Sequence, residues 1–293
     1  MALTEVFALG RTLADRGVGL RRRRLRLADG SRLHVLDGGV ASAQPVVLLH
    51  GFCGNHRQML GIARALAPRQ RVILYDARGH GGSDAFGATP TMARLGADLA
   101  ELIAALGTPT VDAVGLSMGA QTLFEHARDF GCKSLRRLVF IDQGPRLLPE
   151  PGFEHALFGG MSEPEVAAFL DALRTQPRSL GRAWLRGMWR SREPLLARLA
   201  VAPALLAGLP GVHARTLQLA ADMLRQDWRD AVRNIDRPTL LCYGGRSMYP
   251  DAGRWMHAHM QDSKLEWFAA SGHGLVYQEP HRLGAAVRGF LQE

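Results

Sequence analysis

Two short stretches hold the residue types of nucleophilic catalysis. Residues 115–119 read GLSMG, and residues 271–274 read SGHG. The first fits G-x-S-x-G with an apolar strand-like run before it and a helical segment after it, the context in which the pattern has mechanical meaning. A tight turn there lifts Ser117 out of a sheet, and glycines on either side avoid clashes that larger residues would create. The helix that follows aims its first amides at the same point, which favours negative charge. Ser117 is therefore the candidate nucleophile. A serine needs a base, and eleven histidines compete. His273 directly follows the last apolar run and is the candidate. His80, in RGHGGSD, reads as loop architecture, and His50, in HGF, as a histidine bonded within its own loop. His257 and His259 form a His-x-His in a helical stretch, but no third ligand accompanies them, so no metal is expected. The backbone amides of Phe52 and Met118 are the candidate oxyanion donors, being rigid and needing no ionisation.

These residues must be positioned by strands and helices in alternation. Residues 22–28 and 32–37 read as a hairpin around Asp29-Gly30. PVVLLH (45–50), RVILYD (71–76), VDAVGLS (111–117), LRRLVFID (135–142), PTLLCYG (238–244) and KLEWFAA (264–270) are strands by their apolar, β-branched runs. Helical spacing falls between them at 57–67 and 91–106 and after Gly119, and closes the chain near 280–291. Alternation of this kind predicts an α/β fold: a mostly parallel, doubly wound sheet with helices on both faces. Such a sheet binds ligands at the carboxyl ends of its strands, where HGF, DARGHGGSD, GLSMG, IDQGP, YGGRS and SGHG all fall. The rhythm breaks over residues 146–232, which lack a convincing strand and carry Trp184, Trp189 and Trp228. That interval is too long for a connection and too apolar for a disordered linker. It is expected to be a helical cap inserted into a core of residues 21–145 and 233–293, behind an N-terminal helical segment of residues 1–20.

Bulk properties narrow the class. The chain has 293 residues, 47% of them hydrophobic, which suits a large folded core and excludes a disordered protein. The formal net charge is +9. A basic balance could favour a membrane surface, a nucleic acid or an acidic carrier protein; its plain reading is solubility. Neither nucleic-acid binding nor stable membrane insertion is expected, since no run approaches the ~18 apolar residues of a span. Cys53, Cys132 and Cys242 are odd in number and lack CxxC spacing, which fits reduced thiols and a cytoplasmic location. The N-terminus carries its charges after its apolar stretch, the reverse of a secretory signal.

HGFCG, DARGHGGSD, GLSMG and GHGLVYQEP, in this order, resemble the α/β-hydrolase superfamily, over about residues 30–145 and 235–293. Within it the chain looks most similar to small esterases and chloroperoxidase-like hydrolases with a helical cap. The resemblance implies a Ser–acid–His triad in that chain order. In many members the acid sits a few residues past the seventh strand, in the loop that reads YGGRSMYP here, and the matching position is Ser247. A hydroxyl cannot counter an imidazolium charge. A minority of the superfamily carries its acid after the sixth strand, which points to Asp142 in VFIDQGP; Asp251, just past Ser247, is the alternative acid. Asp76 reads as a structural partner of the RGHGG loop. The expected activity is that of a serine hydrolase of the carboxylesterase type, acting without a cofactor on a small, apolar acyl or aryl ester through an acyl-enzyme. The alternatives are an acyl thioesterase acting on an acidic carrier protein or on CoA, a lactonase or C–C bond hydrolase, and a non-catalytic ligand-binding protein on the same scaffold.

Overall fold

The expected hairpin and the six apolar runs become eight strands. They are β1 (Arg21–Arg26), β2 (Arg32–Gly39), β3 (Pro45–Leu49), β4 (Arg71–Tyr75), β5 (Val111–Leu116), β6 (Leu135–Ile141), β7 (Thr239–Gly244) and β8 (Ser263–Phe268). They form one sheet in the order β1-β2-β4-β3-β5-β6-β7-β8. β1 and β2 make the expected antiparallel hairpin, β2 runs antiparallel to β4, and the remaining pairs are parallel. The computed structural model describes residues 19–150, 153–156, 218–249 and 251–293, with isolated positions between 162 and 216. The expected N-terminal helical segment lies almost wholly outside the described residues. So does most of the expected cap, including Phe158, Met161, Phe169, Trp184, Met188 and Trp189.

Side chains of a strand alternate between faces, so each central strand feeds two cores. Val47, Leu49, Ile73, Tyr75, Ala113, Phe140 and Leu241 pack on one face against Leu95 and Leu99 of helix Met92–Ala105 and Leu123 and Phe124 of helix Met118–Phe130. Val46, Leu48, Val72, Leu74, Val114, Val139 and Leu240 pack on the other against Ile62 and Leu66 of helix Leu60–Leu66 and Leu283 and Val287 of helix Pro280–Gln292. β3, β5 and β7 are buried along their whole lengths, which is why they read as unbroken apolar runs instead of alternating ones.

The chain leaves the core after β6 and returns before β7, and the two ends are clasped. Arg146 bridges Asp227 at 3.1 Å and Glu150 at 3.0 Å, Arg229 pairs with Asp227 at 2.6 Å and also with Glu150, and Arg146 and Asp227 form an antiparallel β-bridge. Trp228 is fully buried. Its indole N–H donates to Glu125 at 2.6 Å and its backbone N–H to the Pro145 carbonyl at 2.9 Å. This tryptophan anchors the returning chain on the core.

Candidate active site

Ser117 sits between β5 and helix Met118–Phe130 at φ 52° and ψ −117°. A non-glycine residue reaches that region only when its surroundings force it there. The forcing contacts are visible. The Ser117 N–H is tied to the Ile141 carbonyl at 3.0 Å, while the Ser117 carbonyl accepts from the amides of Ala120 (2.8 Å) and Gln121 (3.1 Å). A Cβ on Gly115 would lie 2.6 Å from the Ala120 nitrogen, and one on Gly119 would lie 2.4 Å from the Leu49 carbonyl oxygen. The glycines of GLSMG are thus required by backbone closing on backbone, which holds the serine at the sheet edge.

His273 follows β8 in a loop braced by Gly272 N–H to Gln278 (2.8 Å) and Ser271 Oγ–H to Glu279 (2.5 Å). Its Nε2 lies 3.1 Å from Ser117 Oγ, and its Nδ1 lies 2.7 Å from Asp142 Oδ2. A carboxylate can only accept, so Nδ1 carries the proton and Nε2 is left as the acceptor facing the serine. Asp142 directly follows β6 at φ 53° and is fully buried. Its Oδ1 accepts the Gly244 amide at 2.9 Å, and its Oδ2 accepts Ser247 Oγ–H at 2.5 Å as well as His273. Ser247, standing where an acid was sought in the sequence, therefore supports the acid of the neighbouring strand. The glycines of YGGRS serve the same junction: a Cβ on Gly244 would lie 2.5 Å from the Gly272 carbonyl oxygen.

Asp251, the alternative acid, is elsewhere. It occupies the N-cap position of helix Ala252–His259 at φ 61°, makes no side-chain cap bond, is exposed, and pairs with Arg254. Its loop turns the carboxylate to solvent while Ser247 turns inward. The structure does not bring Asp251 to His273.

The segments that carry Phe52 and Met118 border the serine. Met118 is the first residue of the helix, whose leading amides have no partner inside the helix itself. Phe52 follows Gly51, and a Cβ there would lie 3.3 Å from Ser117 Cβ. The other histidines weighed from sequence, His50, His80, His257 and His259, have partners away from the serine. His50 Nδ1–H donates to the Gly51 carbonyl at 2.8 Å and Nε2 accepts the Ala77 amide at 2.9 Å; burial holds its pKa below the usual histidine value. His80 accepts the Cys53 amide at 3.3 Å through Nε2. Burial pushes the Cys53 thiol up to about 12, so it supplies no competing thiolate. His257 faces Ser263, and His259 stacks on Trp255.

Among the described residues, His34, His56 and Asp76 have potential ligand atoms within 4.8 Å of one another. Asp76 is already saturated. It takes His34 Nδ1 (2.9 Å) and the Gly82 amide (2.8 Å) on one oxygen, and the ring and backbone N–H groups of His56 (both 2.8 Å) on the other. Burial raises its pKa, but the bonds from His34 and His56 outweigh it and hold the carboxyl far below the ordinary range. That pattern is a brace for the RGHGG loop, as its sequence position suggested.

Two residues at the site were not singled out from sequence. Gln143, fully buried, brings its side-chain oxygen to 3.4 Å from Ser117 Oγ. Tyr249 packs its ring 5.5 Å from that of His273. No pattern in the sequence marks Gln143; only its place beside Asp142 at a strand's carboxyl end puts it near the site.

The sequence matches the family described as "Alpha/beta hydrolase family" over residues 46–286. It is similar to a pimeloyl-[acyl-carrier protein] methyl ester esterase of Nitrosospira multiformis, 27% identical over 84% of this chain and 94% of the relative. It is also similar to a 3-oxoadipate enol-lactonase of Acinetobacter baylyi, 24% identical over 90% of this chain and 94% of the relative. Among solved structures, an esterase from Exiguobacterium antarcticum superposes with a TM-score of 0.83 at 23% identity, covering 93% of this chain and all of that one.

Proposed function

Since this chain belongs to the alpha/beta hydrolase family, we propose that it is a serine hydrolase that cleaves a carboxylic ester through an acyl-enzyme. The observation that carries this reading is the run of hydrogen bonds from Ser117 Oγ through His273 to Asp142, at 3.1 and 2.7 Å. In the proposed cycle Ser117 attacks the ester carbonyl as His273 Nε2 takes its proton. Asp142 stabilises the imidazolium and fixes its orientation. The new oxyanion forms against the amides of Phe52 and Met118. His273 then protonates the departing alcohol, and afterwards deprotonates the water that clears the acyl group. Residues 146–232 act as the cap that selects the ester, entered and left through the Arg146–Asp227–Arg229–Glu150 clasp.

A second reading concerns the group that carries the ester. The Nitrosospira relative is named for an ester on an acyl-carrier protein, and this chain has a formal net charge of +9, which suits an acidic carrier. The test of the main reading is direct. A fluorophosphonate should attach at Ser117, p-nitrophenyl esters of short acids should be hydrolysed, and Ser117→Ala should lose both properties. A protein that is folded, unlabelled and inert toward a panel of esters, thioesters and lactones would instead be a binding protein on this scaffold.

A further inference from the structure

Gln143 is buried to the last atom, yet its side-chain Nε2 finds no hydrogen-bond partner. An orphaned N–H in a protein interior is costly, and its persistence calls for an explanation. The rest of the residue is tightly held. Its backbone carbonyl accepts the Tyr243 hydroxyl. The preceding residue, Asp142, sits at φ 53°, so the chain turns sharply between the two side chains. That turn sends the Asp142 carboxylate to His273 and the Gln143 amide to Ser117, 2.7 and 3.4 Å from their respective partners.

The two ends of an amide are assigned from their bonds, not seen directly. With the oxygen toward Ser117, the serine proton is shared between Gln143 and His273, and Nε2 stays orphaned. Turned end for end, the buried donor is satisfied. Nε2–H donates to a lone pair of Ser117 Oγ, the serine proton is left wholly to His273 Nε2, and the group left unpaired is an acceptor, which costs less than an orphaned donor. The distance is at the long end of the hydrogen-bond range, and catalytic contacts tighten as substrate enters.

We propose that Gln143 is a positioning residue for the nucleophile: its amide donates Nε2–H to Ser117 Oγ and stabilises that oxygen as its proton passes to His273. This rests on Ser117 being the nucleophile. The bond is worth most when Oγ carries partial negative charge, during attack on the ester and again when Oγ leaves the acyl carbon. The amide therefore assists both halves of the cycle without touching the substrate.

Gln143→Met keeps the chain length and removes the donor. It should lower kcat/KM toward a p-nitrophenyl ester and the rate of fluorophosphonate labelling together, by roughly 10- to 100-fold, with thermal stability nearly unchanged. Gln143→Glu places a carboxylate beside Ser117 and His273, which favours the imidazolium. The ascending limb of its pH–kcat/KM profile should move up by roughly one pH unit, a change that a merely structural defect would not produce. A folded Gln143→Met protein labelled as fast as the parent overturns the inference while leaving the serine-hydrolase reading intact. If that variant does not fold, a Gln143→Glu limb coinciding with the parent's overturns it. A parent protein that is neither labelled nor active overturns both.

Discussion

At the residue scale, the site turns on which carboxylate serves His273. Asp142 bonds Nδ1, whereas Asp251 is exposed on Arg254. Asp142→Asn keeps the shape of the side chain. Its amide, however, would present either a donor to the Nδ1 proton or a neutral acceptor, and the imidazole would lose its tautomer and its counter-charge. Turnover should fall by about 10⁴-fold with folding intact, while Asp251→Asn should stay within about twofold of the parent. Steady-state kinetics on a p-nitrophenyl ester, with circular dichroism to verify folding, decides it; a mild Asp142→Asn would remove that residue from the mechanism. Ser117 and His273 were legible from motif and strand position. Asp142 was legible from the resemblance, once Ser247 was recognised as a hydroxyl where a carboxylate was sought. Gln143 was not legible, because a glutamine beside an acid carries no pattern until the fold shows which way each side chain turns.

At the element scale, the strands followed their apolar runs to within a residue or two, because the interior of a parallel sheet leaves little freedom in composition. The short helix Leu275–Gln278 was not anticipated, since four residues are too few for a periodic signal. The exposed run RRRRLR became β1 at the sheet edge, where charged side chains discourage pairing with another chain. The element with least slack is the β5–helix junction. A methyl group at Gly119 would stand 2.4 Å from the Leu49 carbonyl oxygen and 2.8 Å from Leu49 Cβ, atoms of a central strand that cannot yield cheaply. Gly119→Ala should therefore destabilise the fold by about 1–3 kcal/mol in denaturant titration. It should also slow fluorophosphonate labelling by more than the fraction unfolded explains, because the strain falls on the turn that carries Ser117. Labelling at the parental rate would show that the turn relaxes without moving the serine.

At the scale of the whole molecule, proton and salt linkage give the remaining tests. Burial lowers the pKa of both His50 and His126 in the folded protein. Such a group is neutral in the native state and free to bind a proton once unfolded. Its stabilising contribution is thus complete above the unfolded value of about 6.5 and is lost as pH falls through and below it. Urea unfolding should give a lower stability at pH 5.5 than at pH 7.5, with the slope reduced in His126→Gln; a stability that rises on acidification would contradict the sign. The net charge of +9 is a separate matter. Ion pairs leave that sum unchanged, but Arg23 beside Asp37 and Arg24 beside Asp84 break up the basic run of β1. If an acidic carrier protein is nevertheless the natural bearer of the ester, attraction must act between surfaces through solvent, where ions screen it over about 10 Å at 0.1 M. Raising salt from about 20 to about 300 mM should then raise KM for a carrier-bound ester by roughly tenfold, through slower association, and leave kcat alone. The same change should leave the kinetics of a p-nitrophenyl ester within about twofold, since a small neutral ester has no charge to steer. Equal responses from the two substrates would remove the carrier and leave the charge to solubility.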